Sequence, residues 1–132
     1  MRRRDALALT LAIAAAPTVA RAGGPSSSSS SQPSYTRFPT LTATIVRSAG
    51  RRGVLSVEAG IDVHDEALRS QAAQAQPRLR AALTESLREF GAGLLPGHAP
   101  DADRLARELQ AAVDRTLGRS GARVLLGTIL VS

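Results

Sequence analysis

The sequence predicts an α+β domain: a three-stranded sheet in the order β-β-α-α-α-β, with its helices on one face. Three observations lead there. Residues 55–63 alternate strictly, with Leu55, Val57, Ala59, Ile61 and Val63 interleaved by Ser56, Glu58, Gly60 and Asp62, the period-two signature of a half-buried strand. Two later stretches carry apolar residues at helical spacing, Leu79, Leu83, Leu87 and Phe90, then Leu105, Leu109, Val113 and Leu117. The segment 124–131 is apolar at nearly every position, which predicts a closing strand inside the sheet.

In chain order, residues 41–47 (Leu-Thr-Ala-Thr-Ile-Val-Arg) are rich in β-branched side chains and form the first predicted strand. Gly50 and Gly53, in the run Ser48-Ala49-Gly50-Arg51-Arg52-Gly53, supply a hairpin turn into the alternating strand. Asp65 is placed to cap a helix starting at Glu66, since a carboxylate there accepts from the unpaired amides of the first turn. Pro77 breaks or kinks that helix, and the stronger amphipathic helix after it ends at Gly91 and Gly93. After a loop over 94–100, Asp101 caps a third helix closed by Gly118. Asp65 with Arg69, Asp103 with Arg107 and Arg104 with Glu108 are spaced for ion pairs on a solvated face, each contributing about 0.2–0.5 kcal/mol.

The chain divides into three parts: 1–22, 23–39 and 40–132. Arg2, Arg3 and Arg4 precede an apolar run of 15 residues, 6–20, and Ala20-Arg21-Ala22 then offers a small-x-small cleavage site before Gly23. This is the three-part form of a secretory signal peptide, and the run is shorter than the roughly 20 residues a membrane helix requires. The Arg3–Arg4 pair resembles a twin-arginine signal, the Sec route being the alternative. Both lead to the periplasm; a leader that is retained would instead anchor the protein in the inner membrane, facing the periplasm. Residues 23–39, GGPSSSSSSQPSYTRFP, cannot bury enough surface to offset the entropy of ordering them and read as a flexible linker.

Composition narrows the function. The chain has no cysteine, which removes disulfides, thiolate catalysis and cysteine zinc sites. All 17 basic residues are arginine, and the aromatics are Tyr35, Phe38 and Phe90 alone, so base stacking is poorly served. In residues 23–132, 13 arginines face 10 carboxylates, a mildly basic balance without a nucleic-acid footprint. His64 lies at a strand-to-helix junction with no second histidine at helical spacing, and His98 lies in a loop; neither completes a metal site. The glycines of 91–97 follow a helix and lack the Lys-Ser/Thr of a phosphate loop, and Ser120 lacks the surroundings of a nucleophile elbow. The reading is therefore of a protein that is not an enzyme and needs no cofactor. Arg51 and Arg52, at the predicted hairpin tip, are the candidate contact with an acidic partner or anionic lipid head groups.

Across residues 38–132 the order and texture resemble a known family. The alternating strand 55–63 runs directly into His64-Asp65-Glu66-Ala67-Leu68; Gln76-Pro77-Arg78-Leu79 then places a proline before an amphipathic helix; and the helix from Asp101 and the strand 124–131 complete the domain. In this it is similar to the periplasmic domain of the flagellar basal body-associated FliL proteins. The resemblance implies a stomatin-like β-α fold, assembly into homo-oligomeric rings, and protein contacts with the stator units of the flagellar motor. The alternative is a free periplasmic binding module for a small ligand or an anionic envelope polymer.

Overall fold

The alternating segment becomes the spine of the sheet. In the computed structural model, which describes residues 33–132, the elements are β1 (Tyr35–Arg37), β2 (Leu41–Val46), β3 (Arg52–Val63), α1 (Glu66–Gln74), α2 (Gln76–Ala92), α3 (Ala102–Leu117) and β4 (Ala122–Val131). The signal residues Arg3, Arg4, Ala20 and Ala22, and the linker as far as Gln32, lie outside the described residues. β3 pairs antiparallel with the other three strands. β2 takes its first half, from Val46 opposite Arg52 to Leu41 opposite Val57. β1 takes its far end, Tyr35 opposite Asp62 and Arg37 opposite Gly60. β4 pairs with residues 55–63 of β3.

The α+β class and the helix order stand, and three expectations are corrected. The sheet has four strands, giving the order β-β-β-α-α-α-β. The added strand lies in the stretch read as linker: Ser34 accepts from the Val63 amide at 2.8 Å, the Phe38 amide donates to Ala59 at 2.9 Å, and Phe38 is buried. Main-chain pairing and one phenylalanine hold a segment whose average composition is polar. Finally, among the described residues β4 pairs with β3 alone and is an edge strand. Its apolar residues divide between faces, Ala122 and Val124 buried, Leu125 and Leu130 exposed.

The core lies between the sheet and the helices. Leu55, Val57, Ile61 and Val63 of β3 meet Leu79, Leu83, Leu87 and Phe90 of α2 and Leu105, Leu109, Val113 and Leu117 of α3, all buried. Each fully buried leucine contributes about 1.5–3 kcal/mol. α2 lies on β2 and α3 on β4. Gly91 does not stop α2, which continues to Ala92; a Cβ there would lie 3.1 Å from Ile45 Cγ2, so the glycine lets helix and strand approach.

The helix ends follow the expected chemistry. Asp65 Oδ2 accepts from the Leu68 amide at 2.8 Å, and Asp101 Oδ1 accepts from the amides of Asp103 and Arg104. Gly118, at φ 72°, closes α3 with its amide on Asp114. Arg104 and Glu108 pair at 2.9 Å. Asp65 pairs with Arg119, while Arg69 donates to the carbonyls of Val63 and His64.

Candidate functional site

The arginine turn joins β2 to β3. The Arg47 amide donates to the Arg51 carbonyl at 2.7 Å and closes a loop in which Ala49 (φ 61°) and Gly50 (φ 71°) are both left-handed. For an alanine this costs roughly 1–2 kcal/mol, offset by the paired strands on either side. The tip itself is Ser48–Gly50; Arg51 closes the loop and Arg52 already stands in β3 opposite Val46, so the two exposed arginines follow the tip rather than form it. The stem of Arg47 folds back over Gly53, where any Cβ would collide with its methylenes.

Beside this turn, the end of the sheet and the α2–α3 loop enclose a cleft of about 470 Å³. Ile45, Leu94, Ile129 and Val131 give it apolar walls; Arg47, Ser48 and His98 supply its polar side chains, and among the described residues no carboxylate lines it. His98, read from sequence as a plain loop residue, is thus a cleft residue, its amide held by Leu95 at 3.1 Å. Gly97, at φ 78°, makes the turn that brings it there.

One wall of the cleft is formed by Ile129 and Val131 of β4, which like β2 is an edge strand among the described residues. Gln110 of α3 accepts from the Val124 amide at 2.8 Å and donates to the Ala122 carbonyl at 2.7 Å. Its amide therefore occupies the outward main-chain groups of β4 as a neighbouring strand would. Further along, β4 carries a bulge: Val57 opposes Ile129 and Ala59 opposes Leu126, so Glu58 alone faces Gly127 and Thr128. Beyond the bulge, Val54 and Ser132 exchange both main-chain bonds, at 2.9 and 3.0 Å. Antiparallel pairing alternates, so Leu130 bonds to Ser56 and the main-chain groups of Ile129 and Val131 point away from β3.

The sheet face opposite the helices carries a polar cluster at the bulge. Glu58 is held below the ordinary glutamate range by the Thr128 hydroxyl and amide, then by Arg37, whose guanidinium donates to it. Gly127 leaves room for this carboxylate: a Cβ there would sit 3.2 Å from Glu58 Cβ. Nearby, the Tyr35 ring covers Gly60. His64 reaches back to Asp62 Oδ2 at 3.1 Å rather than toward Asp65 or Glu66. The same face exposes Val46, Val54, Leu125 and Leu130.

Among the described residues, no three His, Cys, Asp or Glu side chains gather where one metal ion would hold them. No described helix is long and apolar enough to cross a membrane. Of the residues singled out from sequence, Arg51, Arg52 and His98 come to one end of the sheet, while His64 and Ser120 lie elsewhere. Gln110 and Glu58 escaped notice because their partners, a strand edge and a bulge, are set by register, which residue type does not encode. No protein-family model matches the chain, and no curated protein matches it.

Proposed function

We propose that this chain is an exported, non-catalytic protein acting through protein–protein contacts, as a FliL-like component of the flagellar motor or a related envelope complex. The supporting observation is the one-sided cover of the sheet. Helices shield one face, whereas the other presents exposed Val46, Val54, Leu125 and Leu130, and among the described residues no strand pairs with the outer side of β4. Such an edge invites strand pairing with another chain. In this reading the Arg3–Arg4 leader delivers the domain to the periplasm, and the partner is a stator unit.

Removing the gene should impair motility, most visibly in viscous medium, with filaments still assembled. Complementation with a chain carrying Arg51→Glu and Arg52→Glu should restore less movement, without unfolding, because exposed turn charges contribute little to stability. Wild-type swimming of the deletion strain at low and high viscosity would reject the motor role. The cleft favours the second reading, a free periplasmic module for a small ligand or an anionic envelope polymer, since its apolar walls and cationic mouth suit an amphiphilic anion.

A further inference from the structure

The cleft and the unpaired end of β4 share two residues, Ile129 and Val131. Their side chains line the cleft, and their main-chain N–H and C=O groups point away from β3. Along the rest of the edge Gln110 holds the outward groups of Ala122 and Val124, and the bulge at Gly127–Thr128 breaks the repeat. What remains open is a short strand template beside an apolar cavity, the arrangement in which main-chain bonds give affinity and alternate side chains give selectivity.

Charge identifies the occupant. β4 runs toward the arginine turn, because Ser132 pairs with Val54 and Val46 pairs with Arg52. Arg47 and His98 line the cleft, Arg51 closes the turn and Arg52 opens β3 beside it, and among the described residues no carboxylate lines the cavity. The nearby Asp101 is engaged in capping α3. We infer that β4 receives, over Ile129–Val131, an antiparallel peptide strand from a partner protein, in which acidic residues precede alternating apolar ones. The acidic end lies toward the arginine turn, and the apolar side chains on the helix-facing side flank Ile129 and Val131 at the margin of the cleft. This rests on the contact reading above and specifies the partner's chemistry.

The test uses the full chain and the synthetic peptide acetyl-Asp-Glu-Asp-Val-Thr-Val-Thr-Val-amide, with a counterpart in which lysines replace the acids. Calorimetry should show the acidic peptide binding at least about tenfold tighter than the lysine peptide. Val131→Pro removes an outward N–H and no bond to β3, a position where an edge strand tolerates proline. It should leave the melting temperature near wild type and weaken binding about tenfold or more. In the wild-type chain, amide hydrogen exchange at Ile129 and Val131 should slow when the peptide is present. Equal affinity for both peptides, undiminished binding by Val131→Pro, unchanged exchange at these amides, or no binding at about 1 mM peptide would each overturn the inference. Undiminished binding by Val131→Pro would instead favour an anionic amphiphile held by the cleft alone. Peptide binding together with wild-type swimming of the deletion strain would remove the motor role and leave the strand site standing.

Discussion

Replacing Gln110 by alanine should destabilise the domain by about 1–3 kcal/mol, a large effect for a half-exposed glutamine on a helix. The side chain makes three hydrogen bonds: to Ala122 at 2.7 Å, from Val124 at 2.8 Å and to Asp114 Oδ1 at 3.0 Å. A neutral hydrogen bond contributes about 0.5–1.5 kcal/mol net, and water reaching the vacated edge returns part of the loss. Alanine's better helix propensity recovers a few tenths of a kcal/mol more. Urea unfolding followed by circular dichroism gives the difference directly. Gln110→Glu is the sharper control, because at neutral pH a carboxylate would face the Ala122 carbonyl and the Asp114 carboxylate with no proton to offer either. It should cost at least as much as alanine. The alanine variant also uncovers the first half of the edge, so sedimentation should show stronger concentration-dependent association than the wild type. A loss below about 0.5 kcal/mol would show that solvent serves the edge as well as Gln110 does.

Leu83→Ala or Leu109→Ala, each fully buried between helix and sheet, should cost about 2–5 kcal/mol in the same unfolding measurement. Glu58 gives the domain an acid-sensitive component. Its folded-state pKa is depressed by Thr128 and Arg37, so its contribution is complete above the unfolded glutamate range, about pH 5 and higher, and is lost as pH falls through the folded value. The stability gap between wild type and Glu58→Gln should therefore be present at pH 7 and shrink below about pH 4, as read by unfolding at a series of pH values.

Helices were legible where local chemistry decides them. Asp65, Asp101 and Gly118 mark ends by hydrogen bonds within a single turn, and the leucine stripes need only a period to be read. Strand β3 was equally clear because one of its faces is dry. Strand β1 was hidden, since three residues bounded by prolines and serines carry no period of their own. β4 misled for a related reason: Leu125 and Leu130 are apolar yet face away from the helices, and no residue type states which face a sheet leaves bare. The arginine turn was found because glycines and charges concentrate there. The cleft beside it was not, for its walls come from β2, from a loop roughly fifty residues further on and from β4 more than twenty residues beyond that.

The placement of β1 has a mechanical consequence. Ser34 lies beside Val63, while the arginine turn, closed by Arg51, adjoins the other end of β3 at Arg52. The eleven steps of strand from Arg52 to Val63 span roughly 36 Å at about 3.3 Å each. Tension between an anchor upstream of Ser34 and a partner gripping the turn would run lengthwise along β3, loading its ladders in shear, with many main-chain bonds sharing the force instead of opening one at a time. The short β1 ladder, three residue pairs from Tyr35 to Arg37 with Phe38 seated in the core behind it, would then act as the clasp through which such a load enters the domain.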